Sequence, residues 1–203
     1  MHIAVTGNIG AGKTTLASKL AEHFGWEVLF EAVEGNPYLA DFYGDMPRWA
    51  FHLQIYFLKS RYEQVAQIQK SNKRIIQDRT IYEDAYIFAL NLYQSGIMSQ
   101  NDYDTYKSIF DLMMTTVKAP DLTIYLKADL PKLVNQIQKR GRDFEANISE
   151  KYLSDLNQHY EDFVNNYKEG KLLTINVNEL DYANNPDDLA FVIDQVDKAL
   201  LYG

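Results

Sequence analysis

The sequence predicts an α/β fold, a five-stranded parallel sheet flanked by helices and carrying a short basic lid. Two observations carry the sheet: five short apolar runs alternate with longer stretches of helical spacing, and a glycine-rich turn joins the first run to the first of those stretches. Strands that alternate with helices pair in parallel, because each helix returns the chain to the same end of the sheet. The lid rests on a third observation, a cluster of cations around a glycine late in the chain.

In order, the first strand is expected at Ile3 to Thr6, and the first helix at Thr14 to Phe24, where Leu16, Leu20 and Phe24 recur every four residues. Glu27 to Phe30 is the second strand. Met46-Pro47-Arg48 starts a second helix, since proline suits a first turn, and the pattern runs to about Lys70. Arg74 to Gln77 reads as the third strand and Tyr82 to Gln94 as the third helix, closed by Ser95-Gly96. From Asn101 to Lys118, Tyr103, Tyr106, Phe110, Met113 and Val117 are spaced 3, 4, 3, 4, a coiled-coil-like seam that suits either core packing or a second copy of the chain. Leu122 to Leu126 is the fourth strand. Pro131 opens a short helix to Lys139, and Ser149 caps another to about Tyr167. Leu172 to Val177 is the fifth strand, and Asp187 precedes a last helix in which Leu189, Val192, Ile193, Val196 and Leu200 share a face. A single domain over residues 1–203 is expected.

Composition excludes several partners. A net charge of -8 repels a phosphate backbone, and no Lys/Arg run outweighs it, so no nucleic acid is expected. Zero cysteines exclude a disulfide scaffold and a thiolate metal site, and fit a reducing compartment. No run approaches the roughly 18 apolar residues of a membrane span, and the first residues lack a leader pattern. The expectation is a cytoplasmic protein with no membrane partner. The four histidines, His2, His23, His52 and His159, show no metal spacing.

The glycine-rich turn reads Gly7-Asn8-Ile9-Gly10-Ala11-Gly12-Lys13-Thr14, followed by Thr15, a complete P-loop after an apolar strand. Gly7, Gly10 and Gly12 let the backbone curl and aim its N–H groups at phosphate oxygens, while the next helix presents its positive end. Lys13 would reach the β- and γ-phosphates of ATP and Thr14 would ligate Mg²⁺. Asp78-Arg79-Thr80 follows the third strand, at the carboxyl end where parallel sheets bind ligands. Asp78 suits a metal-holding acid and Arg79 a clamp on a transferring phosphoryl group; read alone, the two are a helix cap and a surface ion pair. Glu31 closes the second strand and points to the same cleft, where a carboxylate repels a phosphorylated acceptor but serves a neutral hydroxyl as general base. Lys139-Arg140-Gly141-Arg142-Asp143-Phe144-Glu145 places cations around a glycine hinge, as a mobile lid at about 139–147 would, or as the basic end of a helix.

In this order the motifs resemble the deoxynucleoside kinase family of P-loop proteins over nearly the whole chain. Four stretches carry the resemblance: Gly7 to Thr14; Phe30-Glu31-Ala32-Val33 through Asn36-Pro37-Tyr38-Leu39; Asp78-Arg79-Thr80-Ile81-Tyr82-Glu83-Asp84; and Lys139-Arg140-Gly141-Arg142 through Glu145. Pro47 to Tyr56 and Arg61 are similar to the family's substrate helix. The resemblance implies the P-loop NTPase/nucleoside-kinase fold and transfer of the ATP γ-phosphate to a deoxynucleoside 5′-hydroxyl. It implies Glu31 as base with Arg79 beside it, Tyr43 and Glu145 on the sugar 3′-hydroxyl, and Gln54 on the base. Arg61 and Asp84 become a charged pair deeper in the pocket, Leu53 and Phe88 its apolar walls, and Arg140 and Arg142 lid arginines toward ATP. Further implied partners are Mg²⁺ at Thr14 and Asp78, a second copy of the chain, and a deoxynucleoside triphosphate as feedback inhibitor.

A carboxylate in the base pocket accepts from an exocyclic amine, which thymine lacks, so deoxyadenosine, deoxycytidine or deoxyguanosine is expected over thymidine. Deoxyadenosine stands first because the chain looks like bacterial deoxyadenosine kinases with Asp-Arg-Thr. The family often has Glu-Arg-Ser at Asp78-Arg79-Thr80, and Gln136 stands where some members have a further lid-side arginine. Two other readings stay open: a nucleoside monophosphate kinase, against which Glu31 argues, and a regulatory protein that binds ATP without transferring phosphate.

Overall fold

A computed structural model describes residues 1–31, 35–142, 145 and 148–202. The expected lid at about 139–147 therefore falls partly outside the described residues, Asp143 and Phe144 included, as does the run Ala32, Val33 and Glu34.

Five strands form one parallel sheet in the order β2-β3-β1-β4-β5: β1 (His2–Gly7), β2 (Glu27–Leu29), β3 (Ile75–Asp78), β4 (Leu122–Lys127) and β5 (Leu172–Asn176). The three inner strands are buried almost throughout, as parallel strands covered on both faces must be, whereas the edges β2 and β5 are half-exposed. On one face Ile3 and Val5 pack with Leu16 and Leu20 of α1 (Lys13–Phe24) and with Val192 and Val196 of α9 (Pro186–Tyr202). On the other face lie α3 (Met46–Lys70), α6 (Gln100–Met114) and α8 (Glu150–Asn165), where Leu58, Tyr82, Tyr106 and Phe110 form a second core. The remaining helices are α2 (Leu39–Gly44), α4 (Ile81–Glu83), α5 (Leu90–Gln94) and α7 (Leu130–Arg140).

Several boundaries differ from the sequence reading. β2 stops before Phe30, because the Phe30 carbonyl accepts from the Gln64 side chain at 2.7 Å and leaves the ladder. β3 extends to Asp78, which is the last residue of the strand. α6 ends at Met114, where the Thr115 and Thr116 hydroxyls turn back onto the carbonyls of Leu112 and Met113, so Val117 falls outside the helix. The centre of that seam, Tyr106 and Phe110, is fully buried core.

The expected helix from Tyr82 to Gln94 is not one α-helix. Between α4 and α5 the chain runs through a π-helical turn, Asp84–Ala89. Such a turn holds one residue more than an α-helical turn, and a periodicity count at 3.6 does not register it. The short α2 also had no sequence signal; its Phe42 packs with Leu53 of α3 and with Leu92 and Met98.

Candidate active site

β1 and β3 are parallel neighbours, so the loop after Gly7 and the residues after Asp78 emerge side by side at the carboxyl end of the sheet. The loop takes its path through glycines at positive φ, 85° at Gly10 and 96° at Gly12. A Cβ on Gly10 would meet the Leu133 carbonyl at 2.8 Å, and one on Gly12 the Tyr182 hydroxyl at 2.1 Å, so both positions exclude side chains by space as well as by conformation. Lys13 folds back to donate to the Asn8 carbonyl at 3.0 Å. Burial, helped by Arg79, pushes its ammonium down to about 8, against the opposing charges of Asp78, Glu83 and Glu31.

Thr14 Oγ1 donates to Asp78 Oδ2 at 2.5 Å, while Asp78 Oδ1 is buried without a hydrogen-bond partner. Burial raises the Asp78 pKa although Lys13 stands close. The cap reading of Asp78 does not hold, since Thr80 is the N-cap of α4 in a reciprocal capping box with Glu83. Two oxygens, one orphaned, are hard donors suited to Mg²⁺, and among the described residues no cluster of three or more His, Cys, Asp or Glu competes for a metal.

Arg79 is the one described non-glycine residue at positive φ, 75°. Its guanidinium lies 4.4 Å over the Phe88 ring, with Nε 2.8 Å from Glu31 Oε1 and Nη1 donating to the Tyr160 hydroxyl at 3.4 Å. Glu31 is also 3.4 Å from Arg61. Burial alone would raise the Glu31 pKa, but Arg79 and Arg61 outweigh it and hold the carboxyl below its usual range, so Glu31 is ionised at neutral pH.

A cavity opens between these groups and α3. Ile9 of the phosphate loop, Glu31 and Arg79 mark its phosphate end, Leu53 and Gln54 of α3 with Asp84 mark its far end, and Phe88 lies against the Arg79 guanidinium. Tyr43, Glu145, Arg140 and Arg142 also line it. Arg61 stands behind this wall, with Nη1 donating to the Asp78 carbonyl at 2.9 Å and Nε 3.6 Å from Asp84 Oδ2. Gln54 and Asp84 are 4% and 2% exposed, and Gln54 Oε1 and Asp84 Oδ2 have no hydrogen-bond partner. Burial pushes the Asp84 carboxyl up to about 7 despite Arg61 and Arg79. Burial likewise raises the Tyr43 hydroxyl, with Tyr152 and Glu145 adding to it.

Every residue expected around the substrate is thus brought to one cavity except Arg61, which backs it. Arg140 and Arg142, expected toward ATP, instead face Glu145: Arg140 Nη2 is 2.6 Å from both carboxylate oxygens, and Arg142 Nη1 is 3.5 Å from Oε1. A nearly buried carboxylate five residues away offers a forked pair at little conformational cost.

Several site residues had not been picked out in the sequence. Tyr152, Leu39, Phe42 and Phe57 complete the cavity wall. Asn157 accepts from Asn8 Nδ2 at 2.5 Å and donates to the Ala128 carbonyl, tying α8 to the phosphate loop. Tyr182 donates to the Ala11 carbonyl at 3.2 Å. Glu83 is fully buried, and only the Thr80-x-x-Glu83 spacing could have flagged it, as a cap. Tyr152, Asn157, Tyr160 and Tyr182 reach the site across the fold and leave no local pattern.

Comparison with known proteins gives a consistent result. The family model described as deoxynucleoside kinase matches residues 3–201. The deoxyadenosine/deoxycytidine kinase of Bacillus subtilis is 44% identical over 161 residues, covering 78% of this chain and 74% of that one. The deoxyguanosine kinase of the same organism is 38% identical, covering 78% and 76%. A solved deoxyadenosine kinase from M. mycoides, with the products dCMP and a flexible dCDP bound, superposes with a TM-score of 0.86 at 32% identity, covering 98% of this chain and 100% of that one.

Proposed function

This chain belongs to the deoxynucleoside kinase family, and we propose that its cavity holds a deoxynucleoside, deoxyadenosine in first place and then deoxycytidine or deoxyguanosine, for phosphorylation at the 5′-hydroxyl by ATP. The observation that supports this reading is the polarity of the cavity, with an ionised carboxylate beside an arginine at its phosphate end and, at the other, two buried acceptors that make no hydrogen bond, Gln54 Oε1 and the Asp84 Oδ2 that faces Arg61 at 3.6 Å. Glu31 takes the 5′-hydroxyl proton. Lys13, Arg79, Arg140 and Arg142 absorb the charge that develops on the transferred group, for which Arg140 exchanges Glu145 for phosphate oxygen. Glu145, so released, and Tyr43 hold the 3′-hydroxyl. Thr14 and Asp78 would hold Mg²⁺, which supplies electrophilic stabilisation of the phosphates when bound.

At the far end, Gln54 Oε1 and Asp84 Oδ2 accept from a base that carries an exocyclic amine, while Leu53 and Phe88 pack on its faces. The names of the relatives support this order of bases. A phosphorylated acceptor would bring its charge onto Glu31, which disfavours the monophosphate-kinase reading. Three further roles complete the proposal: a homodimer, a cytoplasmic location, and feedback by a deoxynucleoside triphosphate, the last supported by the M. mycoides kinase solved with bound dATP and with bound dCTP.

The test is Glu31→Gln. Loss of a general base lowers rate by about 10² to 10⁴, so kcat falls by that factor while deoxynucleoside binding, measured by calorimetry, stays within a few-fold. Undiminished kcat overturns the assignment.

A further inference from the structure

Glu83 is not in the cavity, yet it is fully buried, which is unusual for the acid of a helix cap. Its two oxygens do different things. Oε2 serves the cap, accepting from the Thr80 backbone at 2.6 Å and from the Thr80 hydroxyl at 3.2 Å. Oε1 turns toward the phosphate end: it accepts from the Tyr160 hydroxyl at 2.7 Å and, at a long 3.5 Å, from the backbone N–H of Gly7, and it lies 3.8 Å from Arg79 Nη1. The same Tyr160 hydroxyl accepts from Arg79 Nη1. A cap needs only the first oxygen.

We propose that Glu83, oriented by Tyr160, is a positioning residue that shares the Arg79 guanidinium with Glu31 and fixes it against the first glycine of the phosphate loop. Arg79 has reason to need such an anchor. It sits in the left-handed region that side chains disfavour, and a conformation of that kind persists only where surrounding contacts impose it. Glu31 grips the guanidinium from the substrate side at Nε, and Glu83 with Tyr160 grips it from the protein side at Nη1. The other charged neighbours are committed elsewhere, Asp84 to Arg61 and Asp78 to Thr14. Without the charge on Glu83, Arg79 closes onto Glu31, occupies the lone pairs that should receive the hydroxyl proton, and leaves its place beside the phosphate loop. Turnover then suffers and nucleoside binding does not, because Gln54 and Asp84 are untouched.

This inference rests on the assignment of Glu31 as base and Arg79 as its partner. Three variants of the full chain test it: Glu83→Gln, which keeps an acceptor but removes the charge; Tyr160→Phe, which removes only the bridging hydroxyl; and Thr80→Ala, which weakens the cap without touching Oε1. Expected are a fall in kcat of about 30-fold or more for Glu83→Gln and about tenfold for Tyr160→Phe, with deoxyadenosine Kd by calorimetry within about threefold for both. Thr80→Ala lowers the melting temperature and keeps kcat within about threefold, since a cap contributes stability rather than rate. The inference is overturned by kcat within twofold of the parent in Tyr160→Phe, which answers even where Glu83→Gln does not fold. It is equally overturned if the losses in kcat follow melting temperature across all three. If Glu31→Gln is itself undiminished, the reading of the base fails first; if Glu31→Gln is slow while Tyr160→Phe is fast, only this inference fails.

Discussion

The two ends of the cavity manage buried polar groups in opposite ways. At the phosphate end, Lys13 rests on the Asn8 carbonyl, Thr14 on Asp78, and Glu83 on Thr80 and Tyr160, so most charges are met by the protein itself. At the end proposed for the base, Gln54 Oε1 and Asp84 Oδ2 are nearly inaccessible and make no hydrogen bond, although Arg61 Nε lies 3.6 Å from Asp84 Oδ2. An unsatisfied buried acceptor costs about 1 to 3 kcal/mol, and only a partner with a matching donor offsets it. On the proposed reading, the phosphate end is built for exchange, trading internal contacts for phosphate oxygens, and the other end for choice, since its acceptors lack a hydrogen-bond donor until the right amine arrives.

The contrast is open to measurement. The largest effect is expected at Lys13: Lys13→Ala lowers kcat/KM for ATP by about 10³, in line with loss of a preorganised charge on the transferred group, and leaves deoxynucleoside Kd within about threefold. A comparable loss in nucleoside Kd would show that the two ends are not separate. Next comes Asp84→Ala, which lowers the kcat/KM preference for deoxyadenosine over thymidine by about 10- to 100-fold, as expected when one buried hydrogen bond to a charged group is removed. Equal discrimination before and after would sever Asp84 from base choice.

A smaller effect follows from protonation. Burial pushes Asp84 up to about 7, with Arg61 and Arg79 pulling it down and Glu31 and Glu83 pushing it further up. An ionised carboxylate accepts more strongly than a neutral carboxyl, so KM for deoxyadenosine falls by about threefold to fivefold from pH 6 to pH 8, a charge-assisted hydrogen bond being roughly twice as strong as a neutral one. Asp84→Asn flattens that slope; a KM profile with the opposite sign counts against the carboxylate as acceptor. The smallest effect is on stability. Gln54→Leu removes an orphaned amide oxygen and raises stability by about 1 kcal/mol, seen as a higher melting temperature, while kcat/KM for the nucleoside drops. A lower melting temperature would show that the acceptor is satisfied after all.

The frame of this molecule could be read locally. β1 and β4 are largely apolar runs, β3 shows itself only through Ile75 and Ile76, and α3 announces itself through Pro47 at its start. Gly10 and Gly12 are legible for the same reason, since a loop without side chains is a local requirement. What could not be read is what depends on distance. Asn157 and Tyr160 meet the phosphate loop and Glu83 at separations of 149 and 77 residues, and neither has a neighbour in sequence that betrays it. The pairing of Arg140 and Arg142 with Glu145 was not legible either, because sequence order shows which charges are present but not which pair lies within reach. The spacing of Thr80 and Glu83 is that of a capping box, and they form one; that the acid's second oxygen faces the site shows only in the fold.

The π-helical turn has a consequence for how the protein can change. Adjacent residues on an α-helix point about 100° apart, so Glu83 and Asp84 at the mouth of that turn face different chambers, one toward the phosphate loop and one toward the base. On the roles proposed for them, a single peptide bond separates the side chain that sets how fast the reaction goes from the one that sets what is admitted. The two properties are thus addressed by neighbouring letters of the sequence and remain independently adjustable. A descendant of this chain can acquire a taste for another base at 84 and keep its chemistry at 83.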